Sequence, residues 1–128
     1  MPIDYNLPIL IVDDYKTMRK ILKNLLKRLG FEDIDEASDG DMALNKMRER
    51  KYGLVISDYN MESFTGLALL KKVRKDCIMK DTPFIIMVAE SNKNDVNALM
   101  EARVSNYIVK PFNSQLLKKN LVAIFGAF

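Results

Sequence analysis

Four charged side chains stand where this chain could do chemistry. Asp13 and Asp14 follow the run Pro8-Ile9-Leu10-Ile11-Val12, Asp58 follows Leu54-Val55-Ile56-Ser57, and Lys110 sits between Tyr107-Ile108-Val109 and Pro111. Three carboxylates brought together repel one another and raise their pKa values unless a cation intervenes. A hard divalent ion with oxygen ligands resolves that conflict, and Mg2+ suits one or two carboxylates together with waters and a phosphate oxygen. Lys110 adds a mobile point charge that can meet an anion. A carboxylate beside a metal ion and a lysine can serve as a nucleophile toward a phosphoryl group.

Each residue also has an ordinary structural reading. Asp13-Asp14 can cap the following helix. Asp58 can be a turn residue after a strand, Lys110-Pro111 a rigid turn with a cis bond, and Tyr107 a half-buried strand residue. The chemical reading rests on whether the fold brings the strand ends together.

The apolar periodicity says that it does. Pro8–Val12, Leu54–Ser57, Phe84–Val88 and Tyr107–Val109 are short apolar, mostly β-branched runs, as expected of strands covered on both faces, and Ile34–Ala37 is a shorter candidate. Between them lie helical stripes. The first carries Met18, Ile21, Leu22, Leu25, Leu26 and Leu29 and closes at Gly30; the second carries Ala43, Leu44 and Met47 after the polar start Ser38–Asp41. Leu67, Leu70 and Val73 form a third, Val96, Leu99 and Met100 a fourth, and Leu117, Leu121, Ile124, Phe125 and Phe128 a fifth. Five strand–helix units with short connections predict an α/β fold, a doubly wound five-stranded parallel sheet with five helices, in which ligands bind outside the carboxyl ends of the strands. Asp13-Asp14, Asp58 and Lys110 all leave such ends.

The 128 residues are 48% hydrophobic and 29% charged, with net charge +3, one cysteine and no histidine. This predicts one ordered domain over residues 1–128 and excludes intrinsic disorder, a disulfide scaffold and histidine-based triads or metal sites. A chain without histidine cannot form its own phosphohistidine. Met1–Asn6 lacks the pattern of a secretory leader, no apolar run reaches the ~20 residues of a membrane span, and the lone Cys77 suits a reducing compartment. A cytoplasmic location is therefore expected. The basic stretches Lys16–Arg28, Lys71–Lys75 and Lys118-Lys119 read as solvated helix faces rather than a nucleic-acid footprint.

Ile11-Val12-Asp13-Asp14, Thr17-Met18-Arg19, Asn24-Leu25-Leu26, Ile56-Ser57-Asp58-Tyr59-Asn60-Met61 and Tyr107-Ile108-Val109-Lys110-Pro111-Phe112 together resemble the receiver domains of two-component response regulators, most closely those of the chemotaxis branch. The resemblance runs from Leu7 to about Phe125 and implies the flavodoxin-like, CheY-like fold. It implies that Asp58 is the phosphoacceptor and that Asp14, Asp58 and the Asn60 carbonyl ligate Mg2+, with Asp13 acting partly through water. Lys110 would pair with the phosphoryl group, Tyr107 would be an aromatic switch, and Asn60 and Glu90 would tune self-hydrolysis. The output surface would span about Asn92 to Phe125.

The implied partners are a CheA-like sensor histidine kinase and a FliM-like flagellar motor switch protein, with a phosphatase as a further candidate. The protein would be a monomer that binds neither membrane nor nucleic acid and catalyses only its own phosphorylation and dephosphorylation. A phosphate-sink receiver and a constitutive, non-switching interaction module are the alternatives. Val88 stands where the family places Thr or Ser, so the implied switch lacks a hydroxyl that would hydrogen-bond the phosphoryl group. Glu62, Thr65, the pair Arg103-Val104, and Asn106 are milder departures.

Overall fold

The computed structural model describes residues 3–62, 64–89 and 93–126. Strands β1 (Ile9–Val12), β2 (Ile34–Ala37), β3 (Leu54–Asp58), β4 (Phe84–Val88) and β5 (Asn106–Val109) alternate with helices α1 (Lys16–Arg28), α2 (Gly40–Glu49), α3 (Gly66–Lys75), α4 (Lys93–Glu101) and α5 (Ser114–Phe125). All strand pairs are parallel, in the order β2-β1-β3-β4-β5. The expected architecture is therefore present.

Alternation along the strands builds two cores. Leu10, Val12, Val55, Phe84, Ile86 and Val88 face a cluster that includes Leu44 of α2, Leu70 of α3 and Leu99 of α4. Ile9, Ile11, Leu54, Ile56, Ile85 and Met87 face the other side, with Leu22 and Leu26 of α1 and Leu117 and Leu121 of α5. A residue slip in any strand would exchange the two faces, so this pattern fixes the register that aligns the strand ends. The fourth helical stripe is narrower than its sequence suggests. Leu99 is fully buried, whereas Met100 is 61% exposed; α4 has nine residues and leans on the sheet mainly through Leu99 and the Val104 that follows it.

Caps set the helix entries. Asp39 accepts the Met42 N–H, Thr65 the Ala68 N–H and Asn113 the Leu116 N–H. α1 differs: Tyr15 is its N-cap and makes no side-chain capping bond. The capping role open to Asp13-Asp14 is thus not the one they take.

α1 and α4 close alike. Gly30 N–H donates to the Lys27 carbonyl and Phe31 N–H to Leu26; Arg103 N–H donates to Met100 and Val104 N–H to Leu99. Both are Schellman closures with a positive-φ residue at the turn, Gly30 at 110° and Arg103 at 64°. Arginine in that conformation costs about 1–2 kcal/mol that glycine avoids.

At the start of the sheet, Arg50 bridges Asp33 and Asp35, and Tyr52 donates to Asp35 at 2.6 Å. The Tyr52 hydrogen bond, with help from Arg50, holds the Asp35 carboxyl below the usual carboxylate range.

Candidate functional site

The parallel register carries three chain segments to one rim. The Asp13 N–H continues the β1–β2 ladder to the Ala37 carbonyl, and Asp58 ends β3 opposite Met87. The Lys110 N–H continues the β4–β5 ladder to the Val88 carbonyl at 2.8 Å. The peptide bond between Lys110 and Pro111 is cis.

The side chains converge. Asp58 is 3% exposed, and Lys110 Nζ donates to its Oδ1 at 2.8 Å. Carboxylate oxygens of Asp13, Asp14 and Asp58 lie within 4.8 Å of one another. Asp13 Oδ1 accepts the Tyr15 N–H at 2.9 Å, and Asp14 Oδ2 accepts the Glu62 N–H at 3.3 Å. Asp13 Oδ2 and Asp14 Oδ1 are buried with no hydrogen-bond partner. Burial is the main force raising the Asp13 carboxyl to about 6, and the negative charges of Asp58 and Asp14 add to it; the Tyr15 N–H and Lys110 pull the other way.

Two orphaned carboxylate oxygens and an all-oxygen donor set fit a hard cation such as Mg2+. Above them opens a cavity of about 410 Å³ lined by Asp14, Tyr15, Asp58, Asn60, Glu62 and Lys110, among others. Asp13 is fully buried and forms no part of its wall.

The remaining expected residues fall around it. Asn60 is exposed at the mouth. Val88 is 3% exposed and offers the cavity no polar side-chain atom. Tyr107 is half-buried against the α2–α3–α4 cluster, with its carbonyl accepting from Asn120 at 3.0 Å. Glu90 and Ser91 lie outside the described residues, as does Asn92, the first residue of the expected output surface.

Several contributors carry no assigned role in the sequence reading. Arg19 donates to the Asp13 carbonyl at 2.6 Å and to Glu36 at 3.2 Å, so it steadies the acid pair instead of lining a purely solvated face. Gly66 approaches so closely that a Cβ there would overlap the Asp58 carbonyl oxygen, while its N–H donates to the Tyr59 carbonyl at 2.8 Å. Tyr59 Oη lies 3.3 Å from Asp95 in the first turn of α4. Arginine one turn beyond an acid pair was a readable signal; the other two depend on tertiary approach.

Comparison with known proteins agrees with this geometry. Residues 9–122 match the response regulator receiver domain family. The chain is 42% identical over 117 residues to the chemotaxis protein CheY of Pseudomonas aeruginosa, covering 91% of this chain and 94% of that protein. It is also 42% identical over 120 residues to chemotaxis protein CheY-3 of Vibrio cholerae, covering 94% and 92%. Among solved structures, Vibrio cholerae CheY4 superposes with a TM-score of 0.87 at 30% identity, covering 94% of this chain and 99% of that one. A CheY-like receiver domain from Methylobacillus flagellatus gives 0.82 at 32% identity, covering 93% and 98%. With acid pair, strand-end aspartate and lysine gathered on the rim of a β2-β1-β3-β4-β5 sheet, and with matches along nearly its full length, this chain belongs to the response regulator receiver domain family.

Proposed function

We propose that this protein is a signalling switch that accepts a phosphoryl group on Asp58. The observation that carries this is the Lys110 Nζ–Asp58 Oδ1 contact of 2.8 Å beside the two orphaned oxygens of Asp13 and Asp14. Asp14, Asp58 and the Asn60 carbonyl, with Asp13 behind them, would hold Mg2+. When bound, that ion supplies positive charge for the equatorial oxygens of the transferring phosphoryl group. An Asp58 carboxylate oxygen attacks phosphorus, and the donor, a kinase phosphohistidine or a small acyl phosphate, leaves with the bonding pair. Lys110 then shifts its donor from the carboxylate to a phosphoryl oxygen. Water later attacks phosphorus and returns the carboxylate and inorganic phosphate, so the chain turns over only its own phosphoryl group.

The added charge at the rim would bias Tyr107 and α4, giving phosphorylation-dependent protein binding. By analogy with the chemotaxis relatives, the donor would be a CheA-like kinase and the receiver of the signal a FliM-like flagellar motor switch protein, in the cytoplasm. Val88 supports a second reading, a phosphate sink. Without a hydroxyl at that position the phosphoryl group lacks a hydrogen bond to β4, while Lys110 and the acid site remain. Binding of a motor-switch peptide before and after treatment with a small phosphodonor and Mg2+ separates them. A phosphorylation-dependent gain supports the motor effector, phosphorylation without a gain supports the sink, and binding with no adduct leaves only the constitutive module.

A further inference from the structure

At the edge of the sheet opposite the acidic rim, where β4 and β5 begin, α3 and α4 end beside a groove of about 420 Å³. Lys71, Arg74 and Lys75 of α3 and Arg103 beyond α4 line it, with Glu101 the one acidic side chain among the described residues that do. Basic residues near a helix C-terminus complement its dipole, and that accounts for part of the charge on α3. It does not account for a residue other than glycine at the left-handed position of Arg103. The same chain closes α1 with Gly30 in the same Schellman geometry, yet places a cationic side chain at the equivalent left-handed position of α4.

The two arginines are held in fixed relation. Arg74 Nε donates to the Arg103 carbonyl at 3.0 Å, and Arg103 Nη2 donates to the Arg74 carbonyl at 3.3 Å. Arg74 Nη1 donates to the carbonyls of Lys80 at 3.0 Å and Thr82 at 2.7 Å. One guanidinium thus ties α3, the entry to β4 and the closure of α4, and a second like charge is kept beside it. Burial, and then Arg103, disfavour the charged form of Arg74, and Asp81 opposes them. With Arg74 Nε and Nη1 spent on backbone carbonyls, the Arg103 guanidinium and the Lys71 and Lys75 ammonium groups are the cations left to meet the oxygens of a phosphate. The volume is that of a small-molecule site. The four cations line a single groove between two helices, with Arg103 facing the three from α3, which suits a small ligand better than a nucleic-acid strand.

We propose that the α3–α4 groove binds a small phosphate-bearing anion, with Arg103, Lys71 and Lys75 as its contacts and Arg74 as the rigid base. This is independent of phosphorylation at Asp58. Its position gives it a route to the output, because the first turn of the same α4 meets Tyr59, the neighbour of Asp58.

Isothermal titration of the full chain with inorganic pyrophosphate and with adenosine monophosphate, in Mg2+-free buffer at fixed ionic strength, tests the proposal. Saturable one-site binding is expected, weakened roughly tenfold, or about 1.4 kcal/mol, by Arg103→Gly or Lys75→Gln and unaffected by Lys110→Ala. Tighter binding of the monophosphate would assign a nucleotide, and tighter binding of pyrophosphate a polyphosphate. Arg103→Gly should melt at or above the wild-type temperature, since glycine suits its backbone, so lost binding cannot be lost folding. The proposal is overturned by absence of saturable binding, by affinity that survives Arg103→Gly but not Lys110→Ala, or by preference for a single-stranded oligonucleotide.

Discussion

Asp13→Asn converts the crowding at the acidic rim into a measurable stability. Asp13 is 0% exposed, and its carboxyl is raised from 3.8 to about 6, chiefly by burial. A raised folded-state pKa gives stability that is complete below the unfolded value and lost as pH rises through the folded one. Metal-free protein should therefore lose stability between about pH 4 and pH 6, and the ionised form costs about 3 kcal/mol at neutral pH. Asparagine keeps the oxygen that accepts the Tyr15 N–H and turns the orphaned Oδ2 into a donor facing the Asp14 and Asp58 carboxylates. In urea unfolding with EDTA at neutral pH the variant should gain about 2–3 kcal/mol and lose that part of the pH dependence. Added Mg2+ should stabilise the wild type by mass action and the variant far less. A variant less stable than wild type in EDTA, or one stabilised equally by Mg2+, would refute the reasoning.

Three further perturbations test other parts of the structure. Val88→Thr buries a hydroxyl at a site 3% exposed; it should cost about 1 kcal/mol in the unphosphorylated protein and raise the phosphorylation-dependent gain in partner affinity roughly tenfold, and an unchanged gain would remove Val88 from the switch. In Gly66→Ala the new Cβ would overlap the Asp58 carbonyl oxygen and lie 3.1 Å from Ile86 Cδ1, so α3 has to shift; a loss of about 2–3 kcal/mol by thermal melting is expected, and a neutral result would contradict the close approach. Tyr52→Phe removes the main support of the lowered Asp35 pKa. A depressed folded-state value contributes stability above the unfolded pKa that disappears as pH falls through the folded one, so this variant should be less stable at neutral pH and decline less steeply in acid. Parallel acid denaturation of the two proteins checks this.

What sequence made legible follows from the physics of a covered parallel sheet. Strands buried on both faces read as continuous apolar runs, and their ends are then fixed points, so the sequence alone puts Asp13, Asp14, Asp58 and Lys110 on one rim. Side-chain partners beyond the strand ends were less visible. Taken alone, Asp13-Asp14 also suit a cap for α1, but the chain passes through Tyr15 first and leaves the acids facing inward. Glu62 contributes a backbone N–H to Asp14, and composition carries no signal for that. Met100 matched the helical period yet sits outside, because α4 touches the core along a narrow line. The Lys71–Lys75 stretch read as solvated charge; only the left-handed closure at Arg103 turns it into one wall of a groove.

The central claim is that Asp58 accepts a phosphoryl group in an acidic, cation-binding rim with Lys110 beside it. Site mapping by mass spectrometry after reaction with a small phosphodonor, with and without Mg2+, tests it most directly. One base-labile phosphoryl group per chain is predicted, on Asp58, formed only with Mg2+ and absent from Asp58→Asn. No adduct, an adduct on another residue, or equal labelling in EDTA would contradict it.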